Sequence, residues 1–422
     1  MPPRIVAIIR FTLIALLGVV IFWRGILPAF TRIDTDFPNY YTASRLVLEG
    51  KDVSRLYDDA WFNAQIASYG IPVEGKFSPF PPPTVFIMLP IASLSPGTAM
   101  AVWTILNIAA LVGVVLLLKR TTRKSFWWVL LLVLFSGHAL INDFRFGQCY
   151  LMLALLIILG YVLWTRNHPL AAGVLLGVGA AIKYFPLAYI PLMVLRKQWK
   201  MLAAFVLTIA AINGLAMATV GTGAYEEFFN NILMHHLSAN MQDPFSSVFQ
   251  SWNSLFRRLF VADGMLNPSP LFNWPEGFML LTAVVVGTVI WISAAQMLQL
   301  QQIQHTGAFS LQFSLLTITC LAILPASATY HFLLLIFPVA LLISSVAPPA
   351  MKLQNWVVAV YAAVGVLPYH FVKGFDGQGI LTLVAYPRLW LMTMMFILTI
   401  FTIREIKRDL IQPTLGAERS TQ

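Results

Sequence analysis

The chain has 422 residues, of which 59% are hydrophobic and 10% are charged, and its formal net charge is +10. Soluble proteins carry roughly 25% charged residues, so these numbers exclude a soluble globular protein, a disordered chain and a small disulfide-rich secreted scaffold. A polytopic membrane protein remains. In this class an excess of basic residues usually reports topology, so we expect no nucleic acid partner.

Apolar runs predict the membrane-spanning elements. Few segments alternate as the strands of a membrane barrel do, so we predict an all-α bundle of about 10–12 transmembrane helices in one integral-membrane domain over residues 1–422. The run 83–95 is too short to cross a bilayer and is predicted to be re-entrant or interfacial. The predicted spans cover residues 5–27, 98–118, 126–141, 149–164, 169–182, 184–195, 201–220, 278–300, 310–324, 331–347, 355–369 and 382–403.

Basic residues in short loops predict the orientation of the chain. Under the positive-inside rule these loops face the cytoplasm, so both termini, including the tail 404–422, are predicted to be cytoplasmic. The long loops 28–82 and 221–277 then face outward. They hold most of the 17 acidic residues, which predicts an extracytoplasmic working face. The basic residues are Lys119, Arg120, Arg123, Lys124, Arg196, Lys197, Lys200, Arg404, Lys407 and Arg408.

The first outward loop opens with Asp34 and Asp36, directly after the first predicted span. A carboxylate at a membrane surface can act as a general base towards an alcohol. It can equally cap a helix, because Pro38 suits the first turn of one. Spacing alone leaves both interpretations open.

Other candidate residues lie between or within predicted spans. Arg145 and Gln148 occupy a short outward loop and could bind a head group or satisfy helix ends. Lys183 interrupts an apolar stretch, where an ammonium group costs roughly 2.5–3.5 kcal/mol, so it either faces a polar partner such as a phosphate or snorkels to the interface. His331 opens a late span and has either a structural or a catalytic role. No group of residues has metal-ligand spacing, so we expect no metal.

Short elements along the chain occur in an order that resembles glycosyltransferase family 87, whose members are integral-membrane enzymes of the GT-C class. The resemblance covers residues from about 30 to about 345 of the sequence. Its matching elements are Asp36-Phe37 with Tyr40 or Tyr41, Phe80-Pro81-Pro82-Pro83, Gly147-Gln148, Lys183 with Pro186, Asn253-Ser254-Leu255 with Arg258, and Tyr330-His331.

The resemblance implies a GT-C-like bundle whose extracytoplasmic loops carry short helices. It implies transfer of a sugar, typically mannose, from a polyprenyl-phosphate donor to a hydroxyl of a glycolipid or glycan acceptor, without a cofactor. The expected location is the bacterial inner (cytoplasmic) membrane, with membrane lipids as partners. Asp36 is then the catalytic base, and Asp34 is its competitor. The residues expected to bind the donor phosphate or the substrates are Tyr40, Arg145, Gln148, Lys183, Asn253, Arg258 and His331.

Two other functions fit parts of the sequence. The broken apolar run around Lys183 suits a secondary transporter, although such proteins typically contain inverted repeats and the sequence shows none. A lipid-binding membrane subunit without catalysis is the second alternative. It predicts that replacing Asp36 leaves the cell envelope unchanged. The sequence makes no prediction of the oligomeric state.

Overall fold

The computed structural model describes residues 2–237, 244–303, 306–345 and 351–419. These residues form helices joined by short loops, and apart from an isolated bridge between Asp263 and Asn267 they contain no β pairing. The predicted all-α polytopic class is confirmed. Residues 238–243 of the second predicted outward loop and residues 420–422 of the predicted tail lie outside the described residues.

Packing divides the chain into two compact units. The first comprises Met1–Pro244 with Thr329–Leu333, and the second comprises Phe245–Ala328 with Leu334–Gln422. No composition shift in the sequence marks this division. The single membrane domain expected over residues 1–422 stays a prediction.

The first unit consists of helices that follow one another closely along the chain. Its α-helices are α1 (Pro3–Ile21), α2 (Leu27–Thr31), α3 (Phe37–Leu48), α4 (Asp59–Ser68), α5 (Pro96–Thr122), α6 (Phe126–Leu134), α7 (His138–Phe146), α8 (Tyr150–Thr165), α9 (Pro169–Ile182), α10 (Ile190–Leu195), α11 (Trp199–Val220), α12 (Thr222–Glu227) and α13 (Leu233–Leu237). Shorter 3₁₀ or π turns cover Phe22–Ile26, Pro82–Phe86, Leu89–Ile91, Phe185–Tyr189 and Phe228–Ile232. The 3₁₀-helix Thr329–Leu335 begins in this unit.

Local sequence explains where several of these helices begin and end. The Ser95 side chain accepts a hydrogen bond from the backbone N–H of Thr98 and so caps α5. Gly137 has φ +50°, a value that side-chain-bearing residues rarely adopt, and it separates α6 from α7. The two helices are bent by 72° at this break. The apolar run 126–141, predicted as one span, is therefore two helices.

Several described helices can cross a membrane by length and composition. Five are long and apolar enough, and the bent pair α6–α7 would make a sixth. Shorter apolar helices cover less of a bilayer: at 1.5 Å per residue, the 14 residues of α9 span roughly 21 Å of a hydrocarbon core of about 30 Å. The total of about 10–12 spans depends on these shorter helices and stays a prediction. The five long spans are Arg4–Thr31, Pro96–Thr122, Trp199–Val220, Pro275–Gln301 and Pro387–Arg408.

The core of the first unit surrounds α3, in the first predicted outward loop. Phe37, Tyr40 and Tyr41 on this helix are almost completely buried. Tyr40 stacks on Phe80 with ring centroids 4.8 Å apart, and Phe37 stacks on Tyr41 at 5.5 Å. Full burial of one such side chain contributes about 1.5–3 kcal/mol. This packing fixes the N-terminal end of α3, where Asp36 lies.

The second unit has its own core around α14. Its α-helices are α14 (Trp252–Phe260), α15 (Pro275–Gln301), α16 (Thr306–Ala322), α17 (Ile336–Ser344), α18 (Met351–Val366) and α19 (Pro387–Arg419), with 3₁₀-helices at Tyr369–Phe375 and Gly379–Ala385. Leu255 and Leu259 of α14 pack with Phe278, Tyr386 and Leu389. Helix α19 continues through most of the predicted tail 404–422.

Candidate active site

Asp36 lies at the N-terminal end of α3 and is partly buried. Its Oδ2 atom accepts a hydrogen bond from Nε2 of Gln148 at 2.7 Å. The Tyr40 hydroxyl donates to Oε1 of the same Gln148 side chain at 2.8 Å. The structure thus joins three predicted site residues in one hydrogen-bonded chain, although more than a hundred positions separate Gln148 from Asp36 and Tyr40.

The backbone at Gln148 is held from the side of α5. Trp103 Nε1 donates to the Gly147 carbonyl at 2.9 Å, and Asn107 Nδ2 donates to the Gln148 carbonyl at 3.2 Å. Gly147 has φ +68°, and a Cβ added there would lie 2.8 Å from the Cβ of Phe37. Glycine is therefore required at position 147, both for its backbone conformation and for the close approach of α3.

The two carboxylates of the first loop have different surroundings. Burial raises the pKa of Asp36, while the hydrogen bond from Gln148 and the charge of Lys183 offset part of that effect. Asp34 instead forms an ion pair with Arg145, whose Nε lies 2.7 Å from Asp34 Oδ2. Asp36 therefore holds a proton more readily than an ordinary aspartate, whereas the charge of Asp34 is balanced by an arginine.

Lys183 lies at the break directly after α9 and is 7% exposed. Its Nζ atom lies 4.1 Å from the ring centroid of Phe80, 5.4 Å from that of Tyr150 and 5.5 Å from that of Tyr40. We call these three rings the aromatic cage. Within the described ranges, no hydrogen bond or ion pair of this ammonium group is found. Ring faces attract a desolvated cation by up to about 2 kcal/mol and still leave its N–H groups available to an anion.

His331 lies next to the aromatic cage. Its ring centroid is 5.1 Å from that of Tyr150 and 5.4 Å from that of Phe185. Tyr330 also packs on Tyr150, at 5.2 Å. The 3₁₀-helix that carries Tyr330 and His331 therefore adds an aromatic wall to the site in the first unit.

The structure brings together some of the predicted site residues. Tyr40, Gln148 and Lys183 lie around Asp36, and His331 contacts the cage. Arg145 reaches Asp34 rather than Asp36. Two predicted residues, Asn253 and Arg258, belong to the second unit, and their predicted role in binding the donor stays a prediction.

These two second-unit residues have different surroundings. Asn253 is buried on α14. Arg258 donates from Nε and Nη2 to the two carboxylate oxygens of Asp376, at 2.8 and 3.2 Å. It also donates to the carbonyl of Leu266. These bonds hold the loop after α14 against the segment that contains Asp376.

Sequence reasoning missed several residues that shape the site. Trp103 and Asn107 lie one turn apart on α5, and a polar pair at this spacing in an apolar helix was the available signal. Tyr150 opens α8 directly after the Gly147-Gln148 element. Asp143 is fully buried on α7, and its Oδ1 atom accepts the Tyr150 backbone N–H at 2.9 Å, which satisfies the start of α8.

In the parts of the chain that the structure describes, no three His, Cys, Asp or Glu side chains are grouped so that they could hold a metal ion. The expectation of a metal-free and cofactor-free site stays a prediction.

The fold and the site define a class of protein. It is a polytopic helical membrane protein in which Tyr40 of the aromatic cage connects the carboxylate of Asp36, through Gln148, to the ammonium group of Lys183. The chain matches the family model described as Glycosyltransferase family 87 over residues 79–325, more than half of its length, and it belongs to this family. It is therefore a membrane glycosyltransferase. The matched residues include Gln148 and Lys183, whereas Asp36 precedes them. The comparison with curated proteins gave no match.

Proposed function

We propose that this glycosyltransferase moves a sugar, with mannose as the first candidate, from a polyprenyl-phosphate donor to a hydroxyl of a glycolipid or glycan acceptor. The reaction takes place at the extracytoplasmic face of a bacterial cytoplasmic membrane and inverts the anomeric carbon. Asp36 is the general base, and Lys183 binds the donor phosphate. Family membership supports sugar transfer by a membrane enzyme, and the site geometry supports the two residue roles.

The observation that carries the proposal is that Tyr40 links the surroundings of Asp36 and Lys183. Tyr40 belongs to both surroundings, because its hydroxyl binds Gln148, the partner of Asp36, and its ring lies 5.5 Å from Lys183 Nζ. Transfer from a lipid monophosphate requires one base, since the acceptor hydroxyl loses a proton. It also requires a cation, since the leaving phosphate gains charge. Asp36 offers the base and Lys183 offers the cation.

In the proposed step, the Asp36 carboxylate takes the proton of the acceptor hydroxyl while that oxygen attacks the anomeric carbon. The bond between the anomeric carbon and the phosphate oxygen breaks, and its electron pair leaves with the polyprenyl phosphate. Lys183 offsets the added negative charge on this leaving group. Attack from the face opposite the leaving group converts a β-linked donor into an α-linked product.

The test is product analysis with the purified full-length chain in detergent, a panel of polyprenyl-phosphate sugars and a membrane lipid extract. We expect mannose to move onto a lipid acceptor in an α-linkage, with one polyprenyl phosphate released for each sugar transferred. Nucleotide sugars in place of the lipid-linked donors serve as the control. Transfer from a nucleotide sugar alone would overturn the donor class, and a β-linked product would overturn the inversion.

A further inference from the structure

We propose that Gln148 is a positioning residue for Asp36 and that Tyr40 anchors the Gln148 amide in the orientation that donates to Asp36. This inference rests on the proposed function of Asp36 as the base. It differs from the expectation that Gln148 and Tyr40 bind substrate, because it assigns both side chains a role within the protein.

Burial distinguishes a positioning role of Gln148 and Tyr40 from substrate binding. Gln148 and Tyr40 are each 0% exposed, whereas Asp36 is partly exposed. Both ends of the Gln148 amide already have protein partners, with Oε1 bound by Tyr40 and Nε2 bound to Asp36. A substrate that reaches Asp36 thus meets the carboxylate and not the amide behind it.

The Asp36 carboxylate and the Tyr40 hydroxyl together hold one of the two orientations of the amide, because an ionised carboxylate only accepts whereas a phenol can donate. With Oε1 towards the hydroxyl, the phenol donates to a carbonyl oxygen and the amide N–H groups point at the carboxylate. In the reversed orientation, the amide oxygen would face the carboxylate oxygen, which repels it. The Tyr40 bond satisfies Oε1 in the favoured orientation and so stabilises the arrangement in which a donor faces Asp36 Oδ2.

The hydrogen-bonded chain Tyr40–Gln148–Asp36 is also held by its neighbours, which a positioning role requires. The Gly147 and Gln148 carbonyls are bound by Trp103 and Asn107 on α5, and Tyr40 is stacked on Phe80. The amide is therefore held where its N–H donates to Asp36 Oδ2. Asp36 Oδ1 accepts no hydrogen bond from the described residues, so it is the oxygen left to take the acceptor proton.

The experiment compares Gln148→Met, which keeps the side-chain length but cannot hydrogen-bond, with Tyr40→Phe, which removes only the hydroxyl. We expect kcat to fall by about 10–100-fold in each, because a hydrogen bond to a charged group is lost or weakened, while the donor KM stays within about twofold. The amide bond favours the ionised carboxylate, so the acid limb of the kcat/KM profile should move to higher pH.

Tyr41→Phe is the matched control. Tyr41 is the next residue of α3 and is also almost completely buried. Its hydroxyl donates a hydrogen bond to the Leu94 carbonyl at 2.7 Å and takes no part in the hydrogen-bonded chain Tyr40–Gln148–Asp36. The Tyr41→Phe variant should lose a comparable hydrogen bond, yet keep the wild-type kcat and the wild-type pH of the acid limb. Melting temperatures in detergent, measured for all three variants, identify any that fail to fold, and Tyr40→Phe and Tyr41→Phe change the volume equally.

The outcomes separate the inference from the function on which it rests. If Asp36→Asn is inactive but Gln148→Met and Tyr40→Phe keep the wild-type kcat and acid limb, the positioning role is overturned and the base stands. If the variants raise the donor KM and leave kcat unchanged, Gln148 binds substrate instead. If Asp36→Asn keeps its turnover, the base assignment and the positioning role are both overturned.

Discussion

Asp34 and Asp36 are two positions apart in the sequence, yet only one of them keeps an oxygen free for chemistry. Arg145 pairs with Asp34, whereas an uncharged amide binds Asp36. Both oxygens of Asp34 accept hydrogen bonds, from Arg145 and from the Thr35 N–H, whereas Asp36 Oδ1 accepts none from the described residues. The sequence could place both residues beyond the first span. It could not show which one Arg145 reaches, because the pair is separated by more than a hundred positions.

Asp36→Asn should separate proton transfer from packing, because asparagine has nearly the same shape but is a far poorer base. We expect turnover to fall by about 10²–10⁴-fold with folding and donor binding preserved. Asp34→Asn should lose much less. Transfer of radiolabelled sugar from polyprenyl phosphate by matched amounts of each variant measures both. An active Asp36→Asn beside an inactive Asp34→Asn would mean that the other carboxylate is the base.

The pH dependence of transfer should report the burial of Asp36. Burial raises the pKa of this carboxyl group above its ordinary value of 3.8. Below its pKa Asp36 is protonated and cannot accept a proton, so kcat/KM should decline on the acid side at a pH above 3.8. The Asp34→Asn variant should keep a decline but move it to lower pH, because the charge of Asp34 is one of the effects that raise the pKa of Asp36. A profile that stays flat down to the ordinary aspartate range would contradict the assignment.

Lys183→Met should weaken the use of donor, because the methionine chain fills the aromatic cage without a charge. A lost charge-assisted contact to phosphate should lower kcat/KM for the donor by about 10–100-fold. Lys200→Met, at an exposed lysine, is the control and should match the wild type. Steady-state kinetics with the lipid-linked donor measure the difference. Unchanged kcat and KM in Lys183→Met would remove this residue from the phosphate site.

At the scale of the helices, hydrophobic runs predicted the elements well and the breaks poorly. The run 98–118 became α5, with bounds extended to Pro96–Thr122 by the Ser95 cap and a polar C-terminal turn. The run 126–141 was divided at Gly137, because hydropathy carries no information about backbone angles. Hydropathy could not predict the aromatic cage around Lys183 either, since its rings come from three separate parts of the chain: α3, the segment before Pro82, and α8.

Gly147→Ala should destabilise the protein and impair transfer. A left-handed backbone costs a residue with a Cβ roughly 1–2 kcal/mol, and here the new atom would also meet the Phe37 side chain. Gly50→Ala is the control, because Gly50 has φ +63° with nothing within 4 Å of an added Cβ. We expect a larger drop in melting temperature, and the larger loss of turnover, for Gly147→Ala. Equal effects in the two variants would show that the contact with Phe37 has no influence.

At the scale of the whole molecule, composition and the pattern of apolar runs predicted an all-α membrane protein, and the helices confirm it. The sequence did not predict the division into two units, because Thr329–Leu333 belongs with residues far earlier in the chain. The orientation in the membrane rests on basic residues in short loops. That orientation decides whether Asp36 faces the extracytoplasmic side, as the proposed function requires.

Single cysteines should label from opposite sides of the membrane when placed at Ser68 and at Thr121. Ser68 ends α4 in the first predicted outward loop, and Thr121 lies beside the basic residues at the end of α5. The positive-inside rule puts the second of these in the cytoplasm. A membrane-impermeant thiol reagent, applied to intact cells and to inverted vesicles, measures this. The unmodified chain, whose Cys149 is buried and Cys320 partly buried, gives the background, and labelling from one side only would refute the topology.

The aromatic cage has a consequence for the environment in which the enzyme can work. Salt weakens an attraction between charges when mobile ions can gather around them, over a distance of about 8 Å at physiological ionic strength. Three rings and the surrounding helices keep such ions away from the Lys183 ammonium group, which is only 7% exposed. Under the proposed function, the donor phosphate is held by a charge that the outside medium cannot screen. Donor recognition would then change little between dilute and saline surroundings, which suits the working face that we propose to be extracytoplasmic.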